Sequence, residues 1–366
     1  MDSVCVAGFG EIMLRLSPKG FLRLSQALPG ELNATFGGGE ANVCVSVAQF
    51  GLPARLLTVL PCNPIADALV TELRGLGVDT TRAVRTPDGR LGIYYAETGA
   101  NQRGGTVVYD RAHSAIAVAD PSAYNFDAML DGVTWLHLSG ITPAISQSAF
   151  EATRMIAECA SARGVTLSCD LNFRKKLWRW SPGTASADLA ARCMGEIVAH
   201  VDVIIGNEED AADVFGISAA GTSVEAGRLD VGAYTDVARQ LVARFPKARS
   251  VAITLRESRS ASQNNWGAML YDVASGVSHL APLNAEGAYQ PHEIHAIVDR
   301  IGGGDSFCGG LIYALNSEAW RAPKDALAFA VAASCLKHSF YGDYNRCSVE
   351  DVVSLMKGNA SGRVKR

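Results

Sequence analysis

The chain has 366 residues, 48% of them apolar, and a formal net charge of −4 from 33 basic and 37 acidic side chains. That length suits one large α/β domain or two smaller ones, and it can bury a core without disulfide or metal staples. The basic surplus of a nucleic-acid binder that works by counterion release is missing, so a small-molecule enzyme fits better.

The 9 cysteines are odd in number and no two stand in CxxC spacing, which argues against a zinc ribbon or a disulfide framework. Met1-Asp2-Ser3-Val4 lacks the basic region of a signal peptide. The longest apolar run, between Asp325 and Lys337, falls far short of the ~20 residues that span a bilayer. A soluble, cytoplasmic protein with no membrane or nucleic-acid partner is expected.

Along the chain, residues 4–8 read as a strand and 40–50 as a helix stopped by Gly51. Asn63-Pro64 opens another helix, with Asn as cap and Pro in the first turn, running toward Gly75. Strands follow at about 133–138, 165–170, 201–205 and 250–255, with helical stretches between them. This alternation predicts a mostly parallel sheet covered by helices. Residues of about 12–36 and 91–110 break the rhythm as short strands and turns without a helix, a small β-lid on the main body. The glycine-rich stretch 221–236 reads as a surface insertion and 357–366 as a polar tail, which leaves 1–356 as a single domain.

Three glycine or histidine motifs fail on spacing. Gly8-Phe9-Gly10 begins a dinucleotide fingerprint, but Met13 stands where its third glycine belongs. His292-Glu293-Ile294-His295 sets its histidines one residue too close for a zinc-binding HExxH helix, and reads as loop or strand. The nucleophile elbow GxSxG would need glycine one position earlier than Gly309. No GxxxxGK[ST] occurs, which removes the P-loop enzymes.

The segment that carries chemistry is Asp299-Arg300-Ile301-Gly302-Gly303-Gly304-Asp305, followed by a helical pattern to about Asn316. Glycines at a helix start let backbone N–H groups approach a ligand, and the helix dipole adds positive potential, which together make an anion hole. A carboxylate beside it, Asp305, can take a hydroxyl proton while the hole receives phosphoryl charge. An ordinary glycine turn with an aspartate in the first helical turn has the same letters.

This segment resembles the DTxGAGD signature of the ribokinase-like (PfkB-type) carbohydrate kinases, with Arg300 for threonine and Gly303 for alanine. Gly37-Gly38-Gly39-Glu40-Ala41-Asn42 is similar to that family's amino-terminal GG…N signature, which implies a sugar site at Gly37, Gly38 and Asn42. Asn207-Glu208-Glu209-Asp210 resembles its NxxE motif, with Asp210 one methylene short of the usual glutamate. That resemblance implies Asn207 at the nucleotide and Asp210 acting on Mg²⁺ through water. It also implies a ribokinase-like α/β fold with a β-lid, ATP and Mg²⁺ as cofactors, room for a monovalent cation such as K⁺, and pairing of two lids in a homodimer or higher oligomer. Thr254 and its neighbours resemble the segment bordering the nucleotide phosphates, and the alanine-rich stretch 326–336 either lines an adenine slot or packs the core.

Further stretches resemble the 2-keto-3-deoxygluconate kinase branch of the family: Tyr94-Tyr95, Tyr109-Asp110-Arg111, the run Asp170 to Trp178, and Gly342-Asp343. The resemblance implies Tyr109, Arg111 and Arg174 facing the substrate, with Asp343 near it. Guanidinium forks suit a sugar acid's carboxylate, which a neutral hexose lacks. Arg111 as a solvated lid charge, and Arg174 in a surface basic cluster or on the nucleotide phosphates, stay open as alternatives. Tyr94 and Tyr95 point to opposite faces of one strand, and Tyr95 is the expected ligand. The function implied is transfer of the ATP γ-phosphoryl to the terminal hydroxyl of the sugar acid, with Asp305 as base and the amides of Gly302, Gly303 and Gly304 holding the phosphoryl group. Fructose or another ketose as substrate, or a catalytically silent sugar sensor, are the alternatives.

Overall fold

The computed structural model describes residues 4–207, 209–218 and 231–359. The chain enters through β1 (Val6–Phe9), buried at every residue, and adds β2 (Met13–Ser17) and β3 (Asn33–Gly37). Next come β4 (Ala54–Leu57), β5 (Val59–Pro61), β6 (Val78–Asp79) and β7 (Val84–Thr86), then β8 (Ile93–Glu97) and β9 (Thr106–Asp110). After them lie β10 (Trp135–Ser139), β11 (Thr166–Asp170) and β12 (Val203–Asn207). A long hairpin of β13 (Ser250–Ser260) and β14 (Gln263–Asp272) leads to β15 (Val277–Ala281) and β16 (His292–Ile294).

The larger sheet runs β15-β14-β13-β12-β11-β10-β1-β4-β6, with β16 also on β14. Neighbours from β6 to β13 are parallel, and β14 is antiparallel to β13, β15 and β16. Strand order reverses at β1, because the chain passes to β4 on one side and later returns to β10 on the other. Such a reversal opens a crevice at the carboxyl ends of the strands, where helices depart in opposite directions. Alternating side chains feed two apolar cores on the two faces. Ala7, Phe9 and Ile204 belong to one, and Val6, Val203 and Ile205 to the other.

A second, four-stranded sheet, β3-β2-β8-β9, is the lid expected at 12–36 and 91–110. It differs in one respect: a single helical turn, Leu24–Ala27, interrupts the connection between β2 and β3. The Glu97 carboxylate accepts a hydrogen bond from its first N–H at 2.7 Å, a partner 73 residues away that local sequence does not reveal.

The helix caps read from sequence hold. Asn63 accepts from the Ala66 N–H at 3.0 Å at the start of Pro64–Gly75, and Gly51 follows Gly39–Gln49 with φ +94°. The strand expected at 250–255 runs on to Ser260, because β14 pairs with its polar second half, Arg256 to Ser260. The helix Pro323–Lys337 is core: Ala326, Ala330, Ala332 and Ala333 are buried against the sheet, and none of its residues lines the cavity at Asp305. Of the two readings of 326–336, core packing is the one that the buried alanines bear out. All nine cysteines are free thiols. Among the described residues no helix is long and apolar enough to cross a membrane. Of the insertion expected at 221–236, residues 221–230 lie outside the described residues, while 231–236 begin the helix Val231–Arg244. The last helix, Val349–Met356, ends where the tail was expected to begin, and 360–366 lie outside the described residues.

The crevice is tight where strands end. Gly140 follows β10, and a Cβ there would lie 2.1 Å from the Leu171 carbonyl oxygen. Gly140→Ala is expected to destabilise the fold by about 1–3 kcal/mol, the usual cost of overpacking against backbone, read as a lowered urea midpoint with an unchanged slope.

Candidate active site

A cavity of about 390 Å³ lies in the crevice between the two sheets. Asp305 stands on its floor, in the first turn of the helix Gly303–Leu315. Asn42, from the helix Gly39–Gln49, donates its amide N–H to Asp305 Oδ2 at 2.6 Å, while its amide oxygen accepts the Gly38 N–H at 3.2 Å. These two bonds fix which way the amide points, and so aim a donor at Asp305. Burial pushes the Asp305 carboxyl up to about 6, with the Asn42 bond opposing that rise and Asp343 adding to it.

The glycine turn needs its glycines for different reasons. Gly302 has φ +84°, and a Cβ there would sit 1.9 Å from the Asp343 carbonyl oxygen. At Gly303 a Cβ would meet the His338 ring at 3.0 Å. Gly304 has open space before it on the cavity side, so its amide is accessible to a ligand. Gly37 and Gly38 line the same cavity, where Cβ atoms would fall 2.2 Å from Asp343 Oδ2 and 2.1 Å from the Glu11 carbonyl oxygen. Arg300 turns away from the glycines to clamp the hairpin tip. Its Nε donates to the Ala261 carbonyl at 2.9 Å, and Nη2 donates to the carbonyls of Ser260 and, at 3.5 Å, Gln263.

Most of the expected site residues converge here. Tyr109, Arg174, Asn207, Asp210, Thr254 and Asp343 all line the cavity. The Arg174 side chain is exposed to it and, among the described residues, makes no hydrogen bond or ion pair, while Asp170, Asp210 and Asp305 feel its charge. Asn207 Oδ1 accepts the N–H groups of Glu209 and Asp210, and Asp210 accepts those of Asn207 at 2.8 Å and Phe173 at 3.0 Å. Those bonds hold the ends of β11 and β12 together. Thr254 Oγ1 donates to the Gly206 carbonyl at 3.5 Å.

Two expectations are corrected. Tyr94, not Tyr95, faces the site: it is buried, lines the cavity, and its hydroxyl donates to Asp343 Oδ2 at 2.5 Å. The pairing of β8 with β2, Tyr94 opposite Arg15, sets that face. Arg111 lies outside the cavity lining; it is buried and ion-paired with Glu11, with its guanidinium carbon 5.5 Å from the Tyr109 ring centre. Asp343 is no free ligand either, since Arg15 occupies its other oxygen at 2.8 Å.

Asp170 was not singled out from sequence. It ends β11 on the cavity wall and accepts two bonds from Asn172, backbone and side chain, each at 3.2 Å. Burial, then Asp210 and Asp305, drive its carboxyl well above the usual range. An acid at the carboxyl end of a parallel strand is the signal that marks it. Glu40 lies buried behind the site, held by the hydroxyls of Ser139 at 2.6 Å and Thr142 at 3.1 Å; burial raises its carboxyl to about 7. Among the described residues no group of three or more His, Cys, Asp or Glu forms a metal cage. The pair Asp170 and Asp210 on one wall instead fits Mg²⁺, which keeps waters and takes one or two carboxylates together with substrate phosphates.

Known proteins share this fold. The chain is 32% identical over 355 residues, 97% of both chains, to a 2-dehydro-3-deoxygalactonokinase of Haloferax volcanii. The solved structure of a 2-dehydro-3-deoxygluconokinase of Thermotoga maritima superposes with a TM-score of 0.85 at 40% identity, covering 97% of this chain and 100% of that one. A putative 2-keto-3-deoxygluconate kinase of Enterococcus faecalis gives a TM-score of 0.84 at 25% identity, covering 100% of this chain and 99% of the other. The family model described as pfkB family carbohydrate kinase matches residues 1–255. The lidded crevice, the aspartate beside a glycine turn and these likenesses lead to one conclusion: the chain belongs to the pfkB family of carbohydrate kinases.

Proposed function

We propose that this kinase transfers the ATP γ-phosphoryl group to the terminal hydroxyl of 2-keto-3-deoxygluconate, with residues 1–356 acting as one unit in the cytoplasm. The observation that carries the reading is one cavity holding both a half-buried, Asn42-bound Asp305 at a glycine turn and an Arg174 side chain with no bonded partner among the described residues. Asp305 takes the hydroxyl proton, and the amides of Gly302, Gly303 and Gly304 receive the charge that develops on the phosphoryl oxygens. Arg174 pairs with the sugar carboxylate, and Tyr94 and Tyr109 wall the sugar from the lid. Mg²⁺, entering with the nucleotide, supplies charge neutralisation of the phosphates. Asn207, Asp210 and Thr254 face the nucleotide side.

The similarity to the Haloferax volcanii galactonokinase favours a second reading, the galacto epimer as substrate. ADP release measured against both epimers and neutral ketoses such as fructose separates these readings. Comparable turnover of fructose and the sugar acids would remove the acid specificity. Repeating the assay in K⁺ and Na⁺ buffers tests the expected monovalent-cation dependence.

Arg174→Ala is expected to raise KM for the sugar acid by about 10–150-fold, the value of a charged hydrogen bond, and to leave KM for a neutral ketose nearly unchanged. Equal losses on both substrates would place Arg174 on the nucleotide phosphates instead.

The base must be ionised to accept a proton, so kcat/KM is expected to fall as pH drops through about 6. Asp305→Asn should lower kcat by roughly 10²–10⁴ while both substrates still bind. The Asn42 bond favours the carboxylate, so Asn42→Ala should move the acidic limb upward by about one pH unit. A limb that stays in place in the Asn42 variant would show that another group titrates.

We also infer pairing through the lid. β9 is exposed along its whole length and forms the lid edge, with Val107, Val108 and Tyr109 at 39%, 49% and 41% exposure. An apolar edge strand is a liability that a second copy would cover. Sedimentation at micromolar concentration is expected to show a dimer of the 38.7 kDa chain, and a fully active monomer would refute the pairing.

A further inference from the structure

Lid strand β2 inverts the usual rule for a half-buried strand. In Met13-Leu14-Arg15-Leu16-Ser17 one face buries Met13, Arg15 and Ser17, and the two leucines lie on the opposite, part-buried face, where Leu14 packs against an apolar core. Arg15 is 1% exposed, and an unpaired guanidinium could not remain there, since desolvating it costs several kcal/mol. Its partners come from two separate loops. Nη2 pairs with Asp299 Oδ2 at 2.7 Å and Nη1 with Asp343 Oδ1 at 2.8 Å, and the guanidinium carbon lies 5.4 Å from the Tyr341 ring centre.

Both loops meet the glycine turn, one running into it and the other packing against it. Asp299 opens that turn: its Oδ1 accepts the Ile301 N–H at 3.1 Å, and its Oδ2 accepts the Gly342 N–H at 3.1 Å. Asp343 follows Gly342, and its carbonyl packs against Gly302 so closely that a side chain there has no room. Tyr94 on β8, beside Arg15 in the lid sheet, holds the second oxygen of Asp343. A continuous set of short contacts therefore links the inner strands of the lid to the amides that receive the phosphoryl group. Arg15 itself lies outside the lining of the catalytic cavity.

We propose that Arg15 is a positioning residue for phosphoryl transfer: its guanidinium ties the two loops flanking the glycine turn to the lid, so that the Gly302–Gly304 amides are in register only while that lid strand is docked. This rests on the kinase reading, and the wild-type protein assayed in parallel keeps the two separable. A wild type without kinase activity overturns that reading, whereas an active wild type with an unimpaired Arg15→Lys variant overturns only this one.

The test compares Arg15→Lys, which keeps the charge but loses the fork between two carboxylates, with Arg15→Ala. Thermal melting reports folding, and kcat and KM are measured for both substrates. Arg15→Lys is expected to melt close to wild type, to lose roughly tenfold or more in kcat, and to keep KM for the sugar within about threefold. Arg15→Ala is expected to lose more, and millimolar guanidinium chloride should restore part of its kcat while leaving wild type unchanged. Wild-type kcat in Arg15→Lys would overturn the proposal. So would failure of both variants to fold, or a loss confined to KM, because each assigns Arg15 a purely structural or binding role.

Discussion

Everything at the centre of this molecule is arranged around negative charge that has to be kept close together. Asp170, Asp210, Asp299, Asp305 and Asp343 all lie in or beneath one crevice, with Glu40 buried behind it. Carboxylates this near to one another, out of water, are pushed toward their protonated forms, as at Asp170, Asp305 and Glu40, and each has partners that oppose that rise. The compensation is specific in each case. Asp299 and Asp343 share Arg15, with Lys337 buried nearby; Asp210 is held by two backbone N–H groups, Asp170 by Asn172, and Asp305 by the Asn42 amide. Polyphosphate adds further negative charge, so the positive face offered to it must be separate from these internal partners. The open space at Gly304, at the start of the helix, offers such a face.

Compensation also explains the division of labour between similar residues. Arg15, Arg111 and Arg174 are chemically alike, yet two of them are spent inside the protein and one is left free. Arg111 answers Glu11 and Arg15 answers two aspartates. Of the three, only Arg174, in the loop after β11, has open space and no acid bonded to it among the described residues. In the function proposed above, a substrate carboxylate would meet a ready guanidinium there without displacing an internal partner.

The readings that sequence supported were local ones. The cap at Asn63, the stop at Gly51, the parallel-sheet alternation and the glycine turn before Asp305 each depend on residues within a few positions of one another. The readings that failed depend on partners far away in the chain. Which of Tyr94 and Tyr95 faces inward is set by the register of β8 on β2, nearly 80 residues earlier, and either choice satisfies strand alternation. Arg111 reads as a substrate ligand, or else as a solvated lid charge, until Glu11, 100 residues distant, is seen beside it. The second half of β13 is polar enough to read as a loop, and only pairing with β14 keeps it extended. Arg15 gave no signal at all, because an arginine between two leucines in a short strand reads as an outward-facing charge.

The grip of Arg300 on the hairpin tip has a consequence for how this enzyme can diverge. Every bond it makes there goes to a main-chain oxygen, of Ser260, Ala261 or Gln263. Such a hold reads the path of the backbone and ignores the identity of the side chains along it. The tip is therefore free to drift in composition over evolutionary time so long as its length is kept. An insertion or deletion of one residue would move the three oxygens out of reach and release the loop that carries Gly302.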